Sequence, residues 1–91
     1  TCDARLSEMA DLDPSEAVRG EALAALAVES PDKALARIGQ AMRTPELAPY
    51  AVRALEIVAR RHPDRLRQFH DDDAPPRAAA VIDALGLLEG R

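Results

Sequence analysis

Five arginines in the middle of the chain are the residues whose type and spacing best suit binding of another molecule. Arg53, Arg60 and Arg67 are seven residues apart, and Arg61 and Arg65 lie close to them in sequence, so several guanidinium groups could share one region. A guanidinium group binds carboxylate or phosphate oxygens through paired hydrogen bonds. The five arginines are therefore the candidate site for an anion or an acidic partner.

The charges elsewhere favour a plainer interpretation, in which these arginines form a solvated face or ion pairs between helices. Residues 33–67 carry eight bases and three acids, but residues 1–32 carry eight acids and two bases, and the net charge of the chain is −4. The chain has one Tyr, one Phe and no Trp, so it offers little surface for stacking bases. No glycine-rich phosphate loop is present. Nucleic-acid binding remains an alternative that the composition disfavours.

No combination of side chains predicts catalysis. Cys2 lies on an apolar helical face, and the serines at positions 7, 15 and 30 have no histidine nearby in sequence. Serine is a preferred N-cap residue, which explains Ser30, whereas Ser15 is interpreted as a residue of a first helical turn. We predict a protein without catalytic residues and without a cofactor.

A metal site is also not predicted, although the residues from His62 to Asp73 include suitable donor atoms. The spacing of His62, Asp64 and His70 matches no zinc site, and three adjacent aspartates at 71–73 lack the alternate spacing and glycine of an EF-hand loop. The acidic run is expected to be a solvated connection whose last members cap and neutralise the positive start of the final helix.

Helical periodicity predicts an all-α chain whose helices begin at prolines. Asp13 is placed as the N-cap before Pro14, where a proline at the first helical position costs no hydrogen bond. Apolar residues at helical spacing predict the buried faces. The predicted helices are a first one ending near Asp11, then 14–29, 31–43, 45–61, a short one from 63, and 76–88. The predicted inward residues are Cys2, Leu6, Met9, Val18, Ala22, Leu23, Ala25, Leu26, Leu35, Ile38, Met42, Leu47, Ala51, Ala54, Leu55, Val58, Leu66, Phe69, Val81, Ile82, Leu85 and Leu88.

An internal repeat organises these helices. Residues 22–33 recur in outline at residues 54–65, with an offset of 32 throughout. The two copies match at their apolar positions, at Pro31 and Pro63, which separate one helix from the next, and at the aspartates that follow these prolines. A period of this size is typical of a solenoid, in which one unit cannot bury its apolar face alone and stacks on its neighbours.

The repeated residues resemble a HEAT-like repeat, in particular the short bacterial variety found in phycobilisome lyases. Asp13-Pro14, Val18-Arg19, Ala22 and Ala25-Leu26 are similar to its first helix, residues 31–38 to its second, and 51–55 reopen the pattern. A partial third match falls at residues 76–80 and 84–86. The resemblance implies that Arg19 and Arg53, which follow a valine, bridge to acids near a neighbouring turn.

The resemblance implies an α-α superhelix, a right-handed solenoid of about five to six short antiparallel helices. Residues 1–91 would form a single domain within a larger array, with units at about 14–45 and 46–77 and partial units at both ends. Open repeat ends need neighbouring elements to cover them, so a homo-oligomer is possible.

The functional prediction is a non-catalytic protein-protein interaction or scaffolding module whose partner is another protein. The alternatives are a nucleic-acid or phosphate-binding module that uses the five central arginines, and an accessory segment of a chromophore lyase or another enzyme. The single cysteine favours a reducing, cytoplasmic location, and no apolar run in the sequence is long enough to cross a membrane.

Overall fold

The computed structural model describes residues 2–89, which form α-helices and connecting turns without a β-strand. The all-α fold class is therefore confirmed. A single turn of π-helix, Phe69–Asp73, follows the fifth α-helix. The α-helices are α1 Cys2–Leu12, α2 Glu16–Glu29, α3 Pro31–Met42, α4 Ala48–Arg61, α5 Pro63–Gln68 and α6 Pro76–Ala84. Within residues 2–89, none of these helices has the length and apolar character needed to span a membrane.

The helix boundaries repeat with the same offset as the sequence. Helix α2 and helix α4 both contain 14 residues, and a shift of 32 places the first on the second. Each ends in a corner residue of similar conformation, Ser30 with φ −146° and ψ 76° and His62 with φ −139° and ψ 59°. Their N–H groups donate to the carbonyls of Leu26 and Val58, both at 2.7 Å. The two corners then continue into Pro31 and Pro63.

The core lies between α2, α3 and α4, and the repeated positions occupy equivalent places in it. Leu23 and Leu55 are 3% and 0% exposed, and Leu26 and Val58 are both fully buried. Helix α3 packs against α2, α4 and α6, whereas α1 packs mainly against α2. Helix α6 departs from the repeat, because it packs against α3 and the π-helical turn rather than continuing the row formed by α2 and α4.

Two predicted helix starts are wrong. Helix α2 begins at Glu16 with Ser15 as its N-cap, and the Ser15 hydroxyl accepts a hydrogen bond from the Val18 N–H at 3.3 Å. Asp13 instead accepts from the Ser15 N–H at 2.9 Å, so it holds the loop ahead of the helix. Helix α4 begins at Ala48 rather than at residue 45, because residues 43–47 form a turn.

Ser30 stands at the N-cap position of α3 as predicted, but its hydroxyl does not cap that helix. It donates to the carboxylate of Asp3 on α1. The side chain therefore connects two helices instead of closing one helix end.

The acidic run 71–73 does not cap the final helix, which corrects the prediction for this segment. These residues belong to the π-helical turn, which the Ala74 N–H closes by donating to the Phe69 carbonyl at 2.7 Å. Pro75 is the N-cap residue of α6 and makes no capping hydrogen bond through its side chain.

Helix α6 ends at Ala84, four residues before the predicted end at Leu88. Gly86 has φ +63°, a left-handed conformation that favours glycine. The N–H groups of Gly86 and Leu87 donate to the carbonyls of Asp83 and Ile82, both at 3.1 Å, which is the Schellman pattern. Leu85 is consequently exposed, whereas Leu87 and Leu88 pack against the core.

Candidate functional site

The five central arginines lie on α4 and α5, and two of them form ion pairs with the preceding helices. Arg53 on α4 is 3.8 Å from Glu21 on α2, and Arg65 on α5 is 3.5 Å from Asp32 on α3. All four side chains are more than half exposed. Each pair joins elements across the repeat boundary, and a phosphate bound at Arg53 or Arg65 would compete with an existing carboxylate.

The other three candidate arginines are exposed. Arg60 and Arg61 lie in the last turn of α4, where a positive charge is stabilised by the negative end of the helix dipole. Among the ion pairs within residues 2–89, none includes either of them. Arg67 lies on α5, outside α4, so the spacing of seven from Arg60 does not continue along one helix.

Arg19 does not reach an acid of a neighbouring turn, in contrast to the expectation from the resemblance. Its Nη2 is 3.8 Å from Glu16 of the same helix, and its Nη1 donates to the carbonyl of Asp13 at 2.8 Å. Arg19 thus fastens the loop before α2, while Arg53 makes the bridge between helices.

Two more ion pairs, which the sequence did not predict, connect α1 to α3. Arg37 donates from Nε and Nη2 to the two carboxylate oxygens of Asp11 at 2.8 and 2.9 Å, the paired geometry that guanidinium groups favour. Lys33 is 3.8 Å from Asp3 at the start of α1. The basic middle of the chain therefore faces the acidic first third at several places, which fits the interpretation of these bases as inter-helix ion pairs.

A groove between α3 and α5 has a volume of about 490 Å³ and includes the Asp32–Arg65 pair. Its polar lining contains a further carboxylate, Asp73, and the amide of Gln68. A single guanidinium beside two carboxylates does not form a favourable environment for an anion.

An open apolar groove lies along α1 and α2, and we call it the α1–α2 groove. It consists of two adjoining cavities of about 460 and 540 Å³ that share Leu6 and Met9. Its apolar lining is Cys2, Leu6, Met9, Ala17, Val18, Ala22, Ala25, Val28 and Tyr50, and its charged lining is Arg5, Glu21 and Glu29. Ala22 is buried at the base of the groove, and Cys2 is exposed.

The α1–α2 groove contains residues that helical periodicity predicted to be buried. Cys2, Met9, Val18 and Ala25 were placed in the core, but Cys2 is exposed and the others are only half-buried. Helix α1 contains no buried residue at all, although Leu6 packs against the core. The periodicity identified the apolar face correctly, whereas the structure leaves that face without a covering element within residues 2–89.

One repeat later, the equivalents of four of the groove residues are buried. A shift of 32 places Cys2, Leu6 and Met9 of α1 on Ala34, Ile38 and Ala41 of α3. Those three residues are 0%, 0% and 3% exposed. Similarly, Ala25 of α2 corresponds to the buried Ile57 of α4. The difference arises because α3 has helices packed on two sides, α2 and α4, while α1 has α2 as its main neighbour.

A histidine bridge connects the π-helical turn to α6 and was missed by sequence reasoning. His70 in the π-helical turn lies between two carboxylates, with Nδ1 2.9 Å from Asp71 Oδ1 and Nε2 2.9 Å from Asp83 Oδ1 on α6. The hydrogen bond to Asp71, followed by the hydrogen bond and charge of Asp83, raises the pKa of His70 above its ordinary value despite partial desolvation. No sequence signal marks this contact, because it depends on the π-helical turn. Within residues 2–89, no group of three or more His, Cys, Asp or Glu side chains is arranged to hold a metal ion.

Comparison of the chain with family models, with curated proteins and with solved structures finds no match in any of the three. The HEAT-like resemblance and the functions that it implies therefore remain predictions.

Proposed function

We infer that this chain is a non-catalytic protein-protein interaction or scaffolding module built from HEAT-like repeats. The observation that carries the inference is the open α1–α2 groove. Its lining is largely apolar, and the repeat-equivalent residues Ala34, Ile38 and Ala41 are core residues. Apolar surface in contact with water favours association with another apolar surface, and contiguous exposed patches commonly mark interaction sites.

The solenoid arrangement is part of the proposal, with units at about residues 14–45 and 46–77. Three features support it: the equal lengths of α2 and α4, the matching corners at Ser30 and His62, and the ion pairs between successive units. Helix α6 does not follow the row of α2 and α4, so the proposed stack changes direction after the π-helical turn. A cytoplasmic location is also proposed, because a chain with one cysteine cannot form an internal disulfide.

Site-specific photo-crosslinking tests the interaction function. A photoreactive amino acid is placed singly at Met9 in the groove, at Leu12 beside it and at Arg61 on α4, and each protein is incubated with extract from the organism that encodes it. The proposal expects a discrete crosslinked protein from the Met9 position. If a partner crosslinks only at the other positions, the binding surface lies there and not in the groove. A monomeric chain that captures no protein from any position would overturn the interaction function itself.

A further inference from the structure

We propose that the α1–α2 groove binds a basic amphipathic α-helix of a partner protein, which lies along α1 as α2 lies along α3. This inference rests on the proposed interaction function and specifies the partner's chemistry. It follows from three properties of the groove: its place in the repeat, its length and the charges at its edge.

The repeat defines which kind of element fits the groove. A shift of 32 relates α1 to α3 and α2 to α4. Helix α3 contacts α2, which precedes it, and α4, which follows it. Helix α1 likewise contacts α2, which follows it. The remaining neighbour of α1 would correspond to α2 one repeat earlier. The occupant is therefore a helix with an apolar face like that of α2, which presents Leu23, Leu26 and Ala27 to the core.

The side of the occupant that meets α2 can also be deduced. Within the repeat, Gly20 of α2 lies against the ring of Tyr50 of α4. The residue of α2 equivalent to Tyr50 is Val18, which lines the groove. The occupant thus places a small residue, glycine or alanine, against Val18. Because valine is smaller than tyrosine, alanine fits there without the overlap that it would cause at position 20.

The length of the groove matches a helix of about three turns. Its lining residues on α2 extend from Ala17 to Glu29. At a rise of about 1.5 Å per residue, this segment measures roughly 18 Å. A helix of that length is short for independent stability in water, so it would gain order from the contact. This mode of binding is recognition of an amphipathic helix in an apolar groove.

The charges at the edge of the groove favour a basic helix. Glu21 of α2 pairs with Arg53 at the equivalent position of α4. One repeat earlier, Glu21 takes the place of Arg53, so a base on the occupant would complement its carboxylate, which also lies 3.8 Å from Arg53. Glu29 adds a second acid at the other end, in the cavity that Arg5 also lines.

Two peptides derived from the chain itself test this proposal. The first has the sequence of residues 15–30 and carries a net negative charge. The second carries Glu21→Lys and Glu29→Lys, which reverse the charge and keep the apolar face. Their binding to the full chain is measured by fluorescence anisotropy at low salt and at about 0.5 M salt. We expect the basic peptide to bind about three- to ten-fold more tightly, with the difference reduced by salt.

The thiol of Cys2 provides an independent measure of location. Cys2 is exposed and lines the groove, so a bound helix should slow its alkylation by a maleimide. Met9→Lys should weaken binding by about ten-fold or more, because it places a charge in the apolar groove. Leu12→Lys is the matched control: Leu12 is also on α1 and is 75% exposed, but it lies outside the groove. Glu21→Lys in the protein should shift the preference toward the acidic peptide.

Several outcomes would overturn the proposal. Equal affinity for the two peptides at low salt would exclude a basic occupant, and unchanged alkylation of Cys2 in the presence of saturating peptide would exclude this groove. A dimer in light scattering that Met9→Lys dissociates would show that a second copy covers the groove. If Met9→Lys unfolds the chain, protection of Cys2 in the unchanged protein decides the question. If neither peptide binds but photo-crosslinking identifies a partner at another position, the interaction function stands. Only the proposal of a basic helix in this groove then fails.

Discussion

The aromatic ring of Tyr50 on α4 lies directly against the backbone of Gly20 on α2. A Cβ atom added at position 20 would overlap the ring at its Cγ and Cδ atoms. Glycine inside a helix costs about 1 kcal/mol relative to alanine, so its presence in the middle of α2 calls for a local reason. The close approach of α4 supplies that reason, because the missing side chain provides the space that the ring fills.

Gly20→Ala should therefore destabilise the chain, by about 1 to 3 kcal/mol, because the new methyl group displaces the ring. In a Tyr50→Ala background the same substitution should stabilise it by roughly 0.5 to 1 kcal/mol, since only the helix propensity changes there. Urea unfolding of the four proteins measures both effects. A Gly20→Ala effect of the same sign and size in both backgrounds would contradict the contact.

Leu23 and Leu55 provide a test of the equivalence of the two repeats. Both are buried at matching positions of α2 and α4. Leu23→Ala and Leu55→Ala should each reduce the free energy of unfolding by about 2 to 5 kcal/mol through lost burial and the cavity left behind. Arg61→Ala, at an exposed position, should change it by less than about 0.5 kcal/mol. If either leucine substitution lowers the free energy of unfolding as little as Arg61→Ala does, the two leucines are not equivalent core positions.

Much of the fold could be predicted because it depends on local signals. Prolines 31 and 63 mark helix starts, and the apolar spacing of α3 and α4 identifies residues that are buried. The N-cap of α2 was placed wrongly at Asp13, because Asp13 and Ser15 are both good caps and lie two residues apart. The π-helical turn has no sequence signature, so neither it nor the bridge made by His70 was expected.

The candidate site was predicted only in outline, for a different physical reason. Periodicity identifies an apolar face but not the element that covers it, so Met9 and Val18 were placed in a core that is open in this structure. The central arginines were found as a group, but a one-dimensional pattern cannot tell which of them meet carboxylates. Arg53 and Arg65 form inter-helix pairs, and the strongest pair geometry belongs to Arg37, outside the group.

Arg37 and Asp11 should contribute measurably to the attachment of α1. Their two parallel hydrogen bonds connect α1 to α3, and both side chains are partly exposed. A double-mutant cycle with Arg37→Ala and Asp11→Ala should give a coupling energy of about 0.2 to 1 kcal/mol at low salt, and less at about 0.5 M salt. Arg61→Ala combined with Asp11→Ala is the control and should show no coupling. A coupling energy of zero at low salt would mean that the pair does not hold α1.

The bridge made by His70 should make stability depend on pH in one direction. A neutral imidazole can donate to only one of Asp71 and Asp83, whereas the imidazolium donates to both. The pKa of His70 is accordingly raised in the folded chain above its ordinary value near 6.5. Its stabilising contribution is therefore complete below the unfolded pKa of about 6.5 and is lost as the pH rises through the folded pKa.

The midpoint of urea unfolding, measured between about pH 5 and pH 9, should reveal this loss. His70→Gln should flatten the dependence in that range, because glutamine has no proton to lose. Asp83→Asn should reduce the dependence without removing it, since Asp71 still accepts from the ring. An NMR titration that places the pKa of His70 at or below 6.5 in the folded chain would contradict the bridge. An unchanged pH dependence of stability in His70→Gln would also contradict the bridge, because groups other than His70 would then account for that dependence.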